Sequence, residues 1–185
     1  MKLFNPYLDL FRLISEFPED SQLQMRKKLI WAYSWAIPHD EAIERIAQFS
    51  PLLELGSGTG YWAWLIAQAR GRIQCFDLEP RQPPHWFETQ FGDSQIVSQS
   101  SEFTLFLCWP PLNTPMASQA LAGYRGTHVL YIGEWRGRTA DSHFHDQLER
   151  DWNLLERIPL PHWPGFSDDL FLFKRKSRDE AEEKD

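Results

Sequence analysis

The sequence of 185 residues is poor in the features that mark several protein classes. It has only two cysteines, Cys75 and Cys108, too few for a disulfide framework or a four-ligand zinc site. Both read as free thiols. No apolar run approaches the roughly 18 to 20 residues that cross a bilayer. The first fourteen residues are broken by Asn5, Pro6, Asp9 and Arg12. No signal peptide is expected, and a cytoplasmic location is the default expectation. Basic residues are also short, 19 against 26 acidic, for a net charge of -7. The terminal run 177–185 carries five acids and two bases, which is -3 of that total. An acidic body argues against a broad footprint on duplex nucleic acid, so a nucleic-acid partner is not expected.

Aromatic side chains, by contrast, are plentiful: nine tryptophans, thirteen phenylalanines and five tyrosines. Large flat side chains can line a pocket as well as fill a core. With 42% hydrophobic and 24% charged residues, the chain fits one ordinary globular domain.

The first 50 residues read as a helical prelude. Leu8, Phe11, Leu13 and Ile14 have helical spacing, and Leu23, Leu29, Ile30, Tyr33 and Ile37 follow a break at Phe17-Pro18. After Ile37-Pro38, Asp40 is the expected N-cap of a further helix running to about Gln48. At Pro51 the texture changes. Leu52-Leu53-Glu54-Leu55 is a short strand-like run that stops at Gly56-Ser57-Gly58-Thr59-Gly60. Residues 61–69 resume helical spacing, Gly71 is the expected helix stop, and 72–76 form a second strand ending at Asp77. Further strands are predicted at 86–91, 103–108 and 128–132, and helices at 116–124 and 142–150. Two final runs, 152–160 and 169–174, fit an antiparallel pair. This rhythm predicts an α/β fold with a mostly parallel sheet. The organisation it implies is a helical extension over 1–50, an α/β domain over 51–174 and a disordered charged tail over 175–185.

The glycine loop carries most of the functional signal. Alternate glycines let the chain turn sharply and let a ligand approach the free N–H groups of the following helix. The spacing lacks the third glycine of a dinucleotide fingerprint, since Tyr61 stands there. No Lys-Ser or Lys-Thr pair follows it, as a nucleoside-triphosphate loop requires. A structural turn in another α/β protein remains the alternative.

Acid, two residues and three alternate glycines after a first strand resemble the first motif of class I S-adenosylmethionine-dependent methyltransferases. That resemblance implies a Rossmann-like methyltransferase sheet with a C-terminal antiparallel hairpin, and S-adenosylmethionine as cofactor. It implies cofactor contacts at Glu54, Gly56, Ser57, Gly58, Gly60, Asp77, Asp93 and Cys108. In the family, the acid closing the second strand binds both ribose hydroxyls. Asp77 stands there, with Glu79 as competitor, and Gly92-Asp93 resembles the adenine contact. The short stretch from Asp93 to Phe103 leaves one helix of the usual fold reduced. The runs 33–38, 60–63, 107–111 and 163–165 are also similar to a group of small bacterial methyltransferase-like proteins without an assigned acceptor.

On the acceptor side, Cys108-Trp109-Pro110-Pro111-Leu112 resembles the Asp/Asn-Pro-Pro-Tyr/Phe motif of amino-group methyltransferases but departs at both ends. Trp109 replaces the hydrogen-bond acceptor and Leu112 the aromatic, so methylation of a base amino group is not expected. Trp109, Pro110, Trp35 and Tyr33 are the candidate acceptor contacts, the last two as a flap. Glu134, just after the fifth strand, is the candidate general base, ahead of Asp141, His143 and His145. No metal is expected, because His143 and His145 lack a clear third ligand. The expected activity is methyl transfer to a small molecule with a flat or hydrophobic part. A protein, peptide or RNA acceptor and an inactive methyltransferase-fold binding protein are the alternatives.

Overall fold

The computed structural model describes residues 2–80 and 85–177. Three helices lead: α1 (Pro6–Ile14), α2 (Glu19–Ala32) and α3 (Asp40–Ala47). They are followed by β1 (Leu52–Leu55), α4 (Tyr61–Gln68), β2 (Ile73–Asp77), β3 (Gln90–Phe91) and β4 (Thr104–Cys108). Then come α5 (Met116–Gly123), β5 (His128–Gly133), α6 (Ser142–Asp151), β6 (Trp152–Pro159) and β7 (Asp169–Arg175). The seven strands form one sheet in the order β3-β2-β1-β4-β5-β7-β6. β3, β2, β1, β4 and β5 run parallel, and β7 and β6 close the sheet antiparallel. The expected α/β sheet with its reversed terminal hairpin is therefore observed. Chain order reverses between β1 and β4, and an open α/β sheet binds its ligands at the crevice made there.

Side-chain parity explains why the sheet is covered on both faces. Leu52, Phe106, Leu130, Ile132, Leu170 and Leu172 point into one cluster with α1, α3 and α4. Their strand neighbours Leu53, Leu105, Leu107, Val129, Tyr131, Phe171 and Phe173 point into the other, beneath α5 and α6. Alternate residues on a strand face opposite ways, so continuous apolar runs such as β4 must be buried on both sides.

The leading helices belong to the first of these clusters. Tyr7 and Trp163 are fully buried in it, and the Trp163 indole donates to the Tyr7 hydroxyl at 3.2 Å. Asn5 caps α1 through Oδ1, which accepts from Leu8 N (3.1 Å) and from the Tyr61 hydroxyl (2.9 Å). Its Nδ2 donates to the Pro38 carbonyl at 2.9 Å. One buried amide thus joins α1, α4 and the link between α2 and α3.

Several local expectations need correction. The N-cap of α3 is His39, whose Nδ1 accepts from Ala42 N at 3.3 Å; Asp40 is the first helical residue, where its charge favours the helix N-terminus. The left-handed residue ending α4 is Arg70 (φ 63), not Gly71. Gly71 is needed for closeness, since a Cβ there would meet Ile66 Cγ2 at 2.5 Å. The strand expected over 86–91 shrinks to Gln90–Phe91, because Trp86 instead packs against Trp64, Tyr61 and Tyr33 with ring centres 4.7 to 5.5 Å apart. Between β3 and β4 the chain has only a 3-10 turn, Ile96–Gln99, in keeping with the reduced helix expected there. Arg175, assigned to a disordered tail, is the last residue of β7 and donates to the carbonyls of Tyr124 (2.7 Å) and Gly126 (3.0 Å). Lys176 is tied down as well, its Nζ donating to the carbonyls of Glu149 (2.9 Å) and Arg150 (2.6 Å), and residues 178–185 of that expected tail lie outside the described residues.

Candidate functional site

A cavity of about 620 Å³ opens at the crevice between the C-terminal ends of β1 and β4. This is within the usual range for a site that encloses a small organic ligand. Its walls combine Glu54 and the glycine loop after β1, Asp77 at the end of β2, Asp93 after β3, Cys108 at the end of β4 and Trp109 after it. The link after α2 supplies Tyr33, Ser34 and Trp35 from above. The described lining residues include three carboxylates and no lysine, arginine or histidine.

The loop is shaped by three left-handed glycines, at φ 77, 56 and 73 for Gly56, Gly58 and Gly60. A side chain at φ near +60° costs about 1 kcal/mol or more, which is why this turn selects glycine. The three have different surroundings. A Cβ on Gly56 would meet Met116 Cε at 2.6 Å and one on Gly60 the Phe87 backbone at 2.9 Å, whereas one on Gly58 would meet nothing within 4 Å. Gly58 faces the cavity. Its N–H donates to Asp77 Oδ2 at 2.9 Å, and Asp77 Oδ1 accepts from Glu79 N at 3.0 Å. The acid closing β2 is therefore tied to the glycine loop after β1. Glu79, the competitor, contributes only its backbone to this arrangement.

Glu54 lies beneath the loop, 1% exposed. Burial pushes its carboxyl up to about 8, against the opposing effect of the Cys75 thiol, which donates to Oε2 at 3.6 Å; the charge of Asp77 adds to the rise. Cys75 and Cys108 are both held well above the usual thiol range, mainly by burial. Neither is an activated thiolate.

The opposite wall is aromatic. Trp35 stacks on Trp109 with ring centres 5.2 Å apart and planes 15° apart. Trp109 adopts φ 53, a strained conformation for a bulky residue. Two bonds hold it there: its backbone N donates to Ile132 O at 2.8 Å, and its indole Nε1 donates to Asp168 Oδ1 at 2.7 Å. Asp168 is buried, and desolvation raises its carboxyl to about 6 despite that hydrogen bond. Tyr33 is pinned over the loop, since its carbonyl accepts from the Thr59 hydroxyl and its ring stacks on Tyr7 at 5.0 Å. The Trp86 indole donates to the neighbouring Ala32 carbonyl at 2.7 Å. The link is thus fastened at its start, around Ala32 and Tyr33.

The structure brings Tyr33, Trp35, Glu54, Gly56, Ser57, Gly58, Asp77, Asp93, Cys108 and Trp109 to one cavity. It leaves Gly60, Pro110 and Glu134 outside the lining. Pro110 is buried and its carbonyl accepts from Ala140 N at 2.9 Å. Glu134, the candidate base, does not line this cavity: it is 6% exposed, and its two oxygens accept from Ser167 N and Arg138 N, each at 3.0 Å. It organises the turn after β5 instead. Asp141 caps α6 through Phe144 N (2.8 Å) and accepts from the Ser118 hydroxyl (2.7 Å). His143 is exposed, whereas His145 is buried against Trp135 with ring centres 4.8 Å apart. Among the described residues no group of three or more His, Cys, Asp or Glu side chains could hold a metal.

Sequence reasoning missed Asp168 and Arg26. Asp168 belongs to no motif, and it directly precedes Asp169 at the start of β7. Arg26 did leave a trace, because the buried stripe of α2 is Gln22, Arg26 and Ile30, an i, i+4, i+8 series with a cation at its centre.

No family model matches this chain, and no curated protein matches it. Solved structures do. TrmK of M. capricolum, in complex with S-adenosyl-homocysteine, is 8% identical over 75% of this chain and 70% of that one, with a TM-score of 0.47. The N-methyltransferase NodS of Bradyrhizobium japonicum, also with S-adenosyl-homocysteine, is 13% identical over 74% and 85%, with a TM-score of 0.47. The magnesium protoporphyrin IX methyltransferase ChlM of Synechocystis, with bound S-adenosylmethionine, is 8% identical over 74% and 79%, with a TM-score of 0.44. At these identities the likeness is one of fold. No described helix is long and apolar enough to cross a membrane.

Proposed function

We propose that the cavity binds S-adenosylmethionine and that the protein transfers its methyl group to a small acceptor with a flat or hydrophobic part. The observation that carries this reading is the joined loop and acid: Gly58 presents an open face to the cavity while its N–H holds Asp77. When bound, the cofactor supplies an electrophilic methyl group on a sulfonium, which leaves a neutral thioether after transfer. The lining fits such a ligand. Carboxylates without cationic side chains suit a molecule that carries positive charge and no phosphate. Asp77, held by two backbone N–H groups, would accept from ribose hydroxyls, and Asp93, held by Gln95 N, from an adenine amino group. Glu54 offers a buried carboxyl that ionises more readily beside a cation.

The acceptor wall is Trp109 with Trp35. An aromatic face excludes water, stacks on a flat acceptor and favours a nearby sulfonium. Catalysis then rests on positioning, since in-line placement is the chief requirement for moving a methyl group between two atoms. No side-chain base is assigned. The test is calorimetric titration of the purified protein, after mass spectrometry for carried-over ligand, with S-adenosylmethionine and S-adenosylhomocysteine. Micromolar binding of both is expected. No binding by folded, ligand-free protein overturns the reading.

A further inference from the structure

Behind the aromatic wall lies a poorly satisfied charge. Arg26 is 8% exposed, and its Nε and one terminal nitrogen are buried without a hydrogen-bond partner. Its guanidinium carbon lies 4.0 Å from the centre of the Phe166 ring and 5.4 and 5.8 Å from the Trp35 and Trp109 rings. Stacking on aromatic faces replaces part of the lost hydration. It leaves the donors unsatisfied, and buried donors without partners are rare enough in native proteins to call for an explanation. The nearby charged groups are Asp168, Glu134 and Arg138. Asp168 is engaged by Trp109, and Glu134 by two backbone N–H groups. Arg138 stacks on the same Phe166 ring at 4.5 Å and adds positive charge.

Trp35 is the exposed member of the wall, at 39%, and it stands on the link between α2 and α3. A ligand ring stacked on Trp109 in its place lies as close to Arg26 as the Trp35 ring does, whose centre is 5.4 Å from the guanidinium carbon. We infer that Arg26 selects the acceptor: a planar aromatic acid stacks on Trp109 where Trp35 now lies, and its carboxylate takes the two unpartnered N–H groups of Arg26. This rests on reading the cavity as a methyl-transfer site, because Trp109 lines the same cavity as the glycine loop. A carboxylate matches a guanidinium through two parallel charge-assisted hydrogen bonds, which a neutral amide cannot reproduce.

The probes are 2-naphthoate and indole-3-carboxylate with their matched carboxamides, titrated calorimetrically into protein saturated with S-adenosylhomocysteine. The acids are expected to bind at least tenfold more tightly than the amides. Arg26→Met abolishes that preference and leaves S-adenosylhomocysteine affinity within twofold, which also reports that the variant is folded. Trp35→Ala, which vacates the stacking place and leaves Arg26 its contact with Phe166, binds the acids severalfold more tightly. Equal binding of acid and amide, a preference that survives Arg26→Met, unchanged or weaker acid binding by Trp35→Ala, or no binding of either acid overturns the inference. Failure of S-adenosylhomocysteine to bind is a separate result and overturns the cofactor reading instead.

Discussion

Glu54 shows how one buried side chain links the site to stability. Its carboxyl is raised from 4.5 to about 8 in the fold, chiefly by desolvation. Between those values the folded state holds a proton that the unfolded state has lost, so this residue makes stability fall as pH rises through the window. Glu54→Gln removes the titration and keeps an acceptor for the Cys75 thiol. Relative to the parent, the variant is expected to gain about 4 kcal/mol of stability between pH 5 and pH 9. Denaturant unfolding at the two pH values checks this, and an equal effect at both contradicts a neutral buried Glu54. Asp77→Asn tests the neighbouring acid. It keeps a similar shape but loses the charge that two hydroxyls would engage, so S-adenosylhomocysteine affinity should drop at least tenfold, with far-UV dichroism unchanged.

Among the elements, α1 is held less by its own helix propensity than by its cap. The Asn5 side chain is 3% exposed and makes three hydrogen bonds to three different parts of the chain. Asn5→Ala loses the cap of α1 and leaves the Pro38 carbonyl without its partner, which should cost about 2–4 kcal/mol. Thermal unfolding measures the loss, and a change below about 0.5 kcal/mol would show that Asn5 does not join these segments. The strands were legible at this scale because period-two burial and short apolar runs are local properties. β3 was not, since Trp86 has strand propensity yet finds more burial among Trp64, Tyr61 and Tyr33 than a sheet edge offers. The cap of α3 was misplaced by one residue because a histidine ring and an aspartate can both accept at a helix start, and only geometry chooses between them.

At the scale of the whole molecule, the leading helices share their core with the sheet. Tyr7, Ile14, Ile37, Ile43 and Ile46 share a cluster with sheet residues and with Trp163 near the C-terminal hairpin. Tyr33 and Trp35 close the cavity from the same segment. Deletion of residues 1–37 is therefore expected to yield aggregated protein without ligand binding, because it uncovers one face of the sheet. Size-exclusion chromatography and calorimetry decide. A monomeric truncated chain that still binds S-adenosylhomocysteine would show that the helices are an accessory.

The sequence alone determined the α/β alternation, the reversed terminal hairpin and the glycine loop with its acids Glu54 and Asp77, because each is written in residues close together in the chain. Hydrophobic period, turn chemistry and a short motif are enough for these. Tertiary structure decided the rest. It set Glu134 outside the cavity lining with both its oxygens on backbone N–H groups, and it brought Asp168 to the Trp109 indole. It also buried Arg26 against Trp35, Trp109 and Phe166, which come from three separate stretches of chain. Those contacts depend on which distant segments meet, and desolvation, the force that sets their charges, acts only once they have met.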